Sequence, residues 1–326
     1  MNRKLLLLLG AAAVVCLPMC QQFGEELYPA GMVTAQDAEA DRLLAAAQAA
    51  GKSGNLSDAI DNYKEIVYYH SLAPNAAQAR YELAGCYERK KDFREAFRQY
   101  DRLIDNYPQS TLYRSALDKQ LAMAFSAAKG EMKVDVFWGL WHANMESGVV
   151  IEWLRSIINK APYNDMAATA SSILADYLVR QNREEEARFE YARLVEKYPD
   201  SPLAPDAQLM VAQLWAKSTL KGDSDNLVNL ARAREAYEEF SLRFPNHKDA
   251  RKALGQAATM DKLLVQQQLE VGRYYLERSR EYTSAIFCFE DVIRQKNINP
   301  EAAAEAQQLL NKARSVQAAQ KNASRI

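Results

Sequence analysis

The sequence is poor in the residues that interrupt helices, with 12 glycines and 10 prolines in 326 positions. Glycine loses the most backbone entropy on ordering and proline cannot donate the interior helical hydrogen bond, so their scarcity argues against a turn-rich sandwich or barrel. Histidine is scarcer still: His70, His142 and His247 each stand alone. That leaves no HExxH zinc pair and no obvious base for a serine or cysteine nucleophile. GxSxG, CxxC, P-loop and GxGxxG motifs are also absent. Neither sign of charge dominates, with 41 basic against 42 acidic residues, so nothing draws the chain to a polyanion and nucleic acid is not an expected partner. Cys86 and Cys288 are too far apart and too isolated for a disulfide framework, and are expected as buried thiols. The carboxylates of Glu184 to Glu186 read as helix-start charges facing water, and His247 as a solvated turn residue. No enzyme activity, cofactor, metal or small-molecule substrate is therefore expected.

What is abundant is text that favours helices, and it repeats. The segments LSDAIDNYKEIVYY, FREAFRQYDRLIDNYP, REEEARFEYARLVEKYP and ARAREAYEEFSLRFP place Ala59, Ala96, Ala187 and Ala233 four residues before Tyr63, Tyr100, Tyr191 and Tyr237. Pro108, Pro199 and Pro245 close three of these segments, twelve residues past their alanines. Twelve residues upstream of three of the alanines lie further small residues, Ala47, Ala84 and Ala175. Small residues at both positions let two helices approach closely, the tyrosine fills the gap toward the next pair, and proline ends the second helix. The interval from Ala59 to Ala96 is 37 residues, close to the tetratricopeptide period. The expected fold is all-α, a tetratricopeptide-like α-solenoid of about six helical hairpins over 36–313, followed by a polar, fraying tail at 314–326. The last hairpin is degenerate, with Gly272, Ala285 and Phe289 in the corresponding roles and an unusually long first helix.

First helices line the groove of such an array. Counting from Ala84 and Ala175, the candidate groove residues are Tyr81, Glu88, Arg89, Ser172, Asp176 and Arg180. An aromatic insertion, KVDVFWGLW, puts Phe137, Trp138 and Trp141 on one face if it is helical. It would then either cover the side of the array or form a docking patch for a partner chain. A second insertion contains GDSDN, but counting from Asp223 the glycine and glutamate that a calcium loop needs are replaced by Val228 and Arg234. It reads as a polar loop.

Arg3 and Lys4 precede an apolar run from Leu5 to about Leu17, which has the length of a secretory core and is too short to span a bilayer. A signal peptide is expected over 1–20, with cleavage as late as residue 35. Cys16 follows AVV and Cys20 follows LPM, so each is a lipid-anchor candidate without the small residue that acylation prefers. Cleavage after VTA would instead leave a soluble periplasmic protein.

The stretch from Ala231 to Leu310 resembles the BamD (YfiO) family of outer-membrane β-barrel assembly lipoproteins, tetratricopeptide repeat proteins of the cell envelope. The residues that carry this are AREAYEEFSLRFPNHKDARKALGQ and LLVQQQLEVGRYYLERSREYTSAIFCFEDVI. The resemblance implies a non-catalytic scaffold on the periplasmic face of the outer membrane. In it, front repeats would meet unfolded outer-membrane proteins, and back repeats would hold the POTRA-bearing barrel subunit. The departures are the poor acylation sites and the aromatic insertion. A Tol-Pal-associated periplasmic adaptor shares such hairpins, but no heptad stretch precedes the repeats here.

Overall fold

The computed structural model describes residues 33–136, 141–162, 165–219 and 226–323. The signal segment and its Cys16 and Cys20 lie outside these residues, as do Phe137, Trp138 and most of the GDSDN loop. Among the described residues there are thirteen α-helices and one two-stranded hairpin, and the chain divides into two units at Lys90/Lys91.

Unit 1 contains α1 (Val33–Lys52), α2 (Leu56–Tyr69) and α3 (Ala76–Arg89). Asn55 caps α2 by accepting from the Asp58 amide, which satisfies one of the orphan donors at the helix start. The small residues of the repeat, Ala47, Ala59 and Ala84, are fully buried, and Tyr63 is 2% exposed. Close backbone approach is thus what the alanines provide. Arg89 reaches from the end of α3 to the Gly51 carbonyl at the end of α1, at 3.1 Å. There its cation meets the negative end of the helix dipole.

Unit 2 begins with α4 (Phe93–Asn106), capped by Asp92, and continues through α5 (Tyr113–Lys129), α6 (Ser147–Lys160), α7 (Asp165–Arg180) and α8 (Glu184–Lys197). It ends with α9 (Ala204–Ser218), α10 (Asn226–Arg243), α11 (Ala250–Tyr274), α12 (Tyr282–Arg294) and α13 (Pro300–Ala323). Each helix packs on its chain neighbours, and α5 also on α7 and α11 on α13, the pattern of a tetratricopeptide-like solenoid. Five of the six expected hairpins lie within a unit, and the helices of the sixth, α3 and α4, fall on either side of the division. Phe97 of α4 stacks flat on Trp153 of α6, with centroids 4.4 Å apart. The same two helices are tied by Lys160, which pairs with Asp101 at 2.7 Å and Asp105 at 2.6 Å.

Three expectations are corrected. The aromatic insertion is not a helix: β1 (Lys133–Val136) pairs antiparallel with β2 (Trp141–Asn144), with Val136 opposite Trp141. Val134 and Val136 alternate with polar residues, a period-2 pattern of β-branched side chains that favours a strand. The polar tail is helical as far as residue 323. It continues α13, whose Ala306, Leu310 and Ala313 close the core over α12. Glu184 does not face water: it is 9% exposed and pairs with Lys217 at 2.8 Å, tying the start of α8 to the end of α9.

The long α11 is as expected, and it ends in a single π turn, Tyr275–Ser279, terminated by Arg280 in a left-handed conformation. Cys86 and Cys288 are buried free thiols, and burial raises both pKa values.

Candidate functional site

The repeated tyrosine marks the site because its hydroxyl has different fates in successive hairpins. In the α7/α8 hairpin, Tyr191 is 2% exposed and its hydroxyl donates to Asp176, the residue after Ala175. Burial and the Asp176 carboxylate together push the Tyr191 pKa well above its usual value. In the α9/α10 hairpin the equivalent pair is Tyr237 and Gln213, the residue after Ala212. Tyr237 is 5% exposed and its pKa is raised by burial, yet its hydroxyl has no partner among the described residues.

Above Tyr237 is a cleft of about 320 Å³ between the first helices α9 and α11. Leu209 and Gln213 form one wall, Lys252 and Gln256 the other, with Ala253 and Tyr237 as floor and Asp249 at one end. Gln213 and Lys252 are exposed, Gln256 is half-buried, and all three side chains are without a hydrogen-bond or ion-pair partner among the described residues. Two free primary amides on facing walls offer both donors and acceptors, the complement of an extended polypeptide backbone.

The turn before α11 fixes the end of this cleft. His247 is not solvated as the sequence suggested: its side chain is 18% exposed and edge-on to the Phe240 ring, 5.2 Å away. The Asp249 amide donates to its Nδ1 at 3.2 Å, while its Nε2 lies 3.4 Å from Asp206 of α9. The imidazole thereby positions Asp249 at the mouth of the cleft.

The sequence-derived groove residues are divided between the two units, three on α3 and three on α7. Tyr81 and Glu88 are half-buried and already engaged, and Arg89 holds the end of α1. In unit 2, Ser172 is half-buried, Asp176 accepts from Tyr191, and Arg180 donates to the Ala128 carbonyl near the end of α5 at 3.2 Å. Arg89 and Arg180 are therefore equivalent caps, each five residues past its alanine. Phe137 and Trp138 lie outside the described residues, and Trp141 is known only as a member of β2. Counting missed the α9/α11 cleft because the insertion before α10 moves Ala212 out of the twelve-residue register. The signal that was available is Gln213 standing where the preceding hairpin has Asp176.

Residues 44–111 and 171–201 each match a tetratricopeptide repeat family. Together with the helix order, these matches show tetratricopeptide repeats within a tetratricopeptide-like solenoid, a fold that suggests protein–protein interaction. No curated protein matches it. Solved structures with which it overlaps include a tetratricopeptide repeat protein from Parabacteroides merdae ATCC 43184, at 11% identity over 85% of this chain and 99% of that one, TM-score 0.31. Another is MamA from Desulfovibrio magneticus RS-1, at 12% identity over 61% of this chain and 94% of that one, TM-score 0.29. Overlaps this loose carry no argument about partners.

Proposed function

We propose that the chain is an exported, non-catalytic scaffold of the outer-membrane protein assembly machine. The observation that carries its mode of action is the α9/α11 cleft, where Tyr237, Gln213, Gln256 and Lys252 present polar side chains without a protein partner among the described residues over a small apolar floor. An extended segment of a partner protein lies there, its backbone completed by the two glutamine amides and the Tyr237 hydroxyl. The resemblance of 231–310 to the BamD family, which spans α10 to α13, favours the POTRA-bearing barrel subunit as that partner. Unfolded outer-membrane proteins are the clients of the front repeats. The basic residues before an apolar run at the N-terminus support export to the periplasmic face of the outer membrane, with Cys16 or Cys20 as the lipid anchor.

Intact mass of the protein recovered from membranes, together with a tagged purification, tests this reading. A diacylglyceryl cysteine and a co-purifying POTRA-barrel protein are expected. An unlipidated soluble species with other partners would replace it with a periplasmic adaptor of another system, such as Tol-Pal.

A further inference from the structure

The opposite helix layer of unit 2 has a cleft of its own. It encloses about 460 Å³ between the second helices α8 and α10, with α9 beneath. Val195, Val211 and Ala236, one from each helix, make its apolar side. Glu196 on α8 and Glu239 on α10 stand on facing walls, exposed and without a partner among the described residues.

The cations nearby are already committed. Arg193 pairs with Glu190 at 2.6 Å, and Arg234 with Glu238 at 3.1 Å. Arg243, one turn beyond Glu239, lies 5.5 Å from the Phe244 ring and donates to the Gln208 side-chain carbonyl at 3.5 Å. Gln208 lines the cleft and is only 5% exposed. One turn before Ala192 of the same wall, Phe189 is 67% exposed. Apolar side chains beside two unpaired carboxylates form a surface that is incomplete by itself.

We infer that this cleft docks a partner segment with an apolar side chain seated against Val195, Val211 and Ala236 and a lysine or arginine, one turn away, between Glu196 and Glu239. A cationic ligand follows from charge complementarity, because the carboxylates of Glu196 and Glu239 outnumber Arg243, the one cation lining the cleft among the described residues, and leave the lining net negative. The inference is independent of the α9/α11 groove. With both sites in use, one hairpin, α9/α10, holds two protein segments on its two sides.

The test uses the full-length mature protein with labelled valine methyl groups. The probe is a synthetic helical peptide of about 14 residues, four turns long, with leucines and arginines on one face; a matched peptide carries glutamate in place of each arginine. The arginine peptide is expected to shift the Val195 and Val211 methyl resonances and to bind at least ~10-fold more tightly than its control, a difference of about 1.4 kcal/mol. The double variant Glu196→Lys/Glu239→Lys, whose exposed positions leave the fold intact, should lose this binding. Lys252→Glu in the other groove should not. Equal affinity for both peptides, binding that survives the double reversal, or loss on Lys252→Glu would each overturn the assignment, the last by moving the peptide to the first-helix groove.

Discussion

Gly272 separates two opposed effects that can be sized in advance. It lies in α11, where replacing glycine by alanine should stabilise the helix by about 1 kcal/mol through backbone entropy alone. The structure predicts the opposite sign. A Cβ at Gly272 would lie 2.7 Å from Phe289 Cε1, 2.9 Å from Phe289 Cδ1 and 3.1 Å from Cys288 Cβ. Favourable carbon contacts begin at about 3.5 Å. Phe289 cannot yield, because its ring is fully buried among Val265, Leu269, Leu276 and Ala285. Overpacking of this kind costs about 1–3 kcal/mol, so Gly272→Ala should be destabilising by up to about 2 kcal/mol after the propensity gain.

Gly255 supplies the control, since it lies in the same helix, is exposed, and would leave a Cβ with no neighbour within 4 Å. Gly255→Ala should therefore gain about 0.5–1 kcal/mol. Solenoids open in parts, so thermal melts should be accompanied by amide exchange in α12 and α13, where the Gly272 effect concentrates. Adding Phe289→Leu should recover part of the loss by making room. If Gly272→Ala is as stable as Gly255→Ala, the close approach of α11 to α12 is not what keeps residue 272 without a side chain.

The Tyr191 and Asp176 pair should be coupled. Asp176→Ala leaves a buried hydroxyl unsatisfied and should cost about 1–3 kcal/mol, while the same change in a Tyr191→Phe background should cost much less, as a double-mutant cycle in urea would read. Stability should fall in alkali. Tyr63, Tyr191 and Tyr237 have folded pKa values raised chiefly by burial, so their contribution is fully present below about pH 10 and is lost as the unfolded chain releases those protons above it. Tyr191→Phe should flatten that pH dependence, measured by denaturation at about pH 8 to 11, the range that brackets the unfolded tyrosine pKa. Trp153→Ala removes the partner stacked on Phe97 and should cost about 3–5 kcal/mol, visible as loss of protection in α4 and α6.

The repeat was legible because packing at the helix crossings tolerates few residue types. Ala59, Ala96, Ala187 and Ala233 are all fully buried, and the tyrosines four residues on are nearly so. Three things were not legible by counting. The hairpin around Trp141 is set by strand alternation inside a helical context, so an aromatic-face argument placed it on the wrong period. Arg89 and Arg180 were chosen by helical phase, and that each folds back onto a neighbouring helix end is something phase alone does not show. The α9/α11 cleft depends on the register of Ala212, which the insertion hides, and on a tyrosine hydroxyl whose isolation is a tertiary fact. Only the contrast between Gln213 and Asp176 was present in the sequence.

The most direct test of the scaffold reading is photocrosslinking in cells, with a photoreactive amino acid in place of Gln213 or Gln256 on the cleft walls and, as control, in place of the exposed Glu235 of α10. Both cleft positions are expected to crosslink to the POTRA-bearing barrel subunit while position 235 does not. Absence of a protein adduct at 213 and 256, or equal adducts at all three positions, would contradict the scaffold reading.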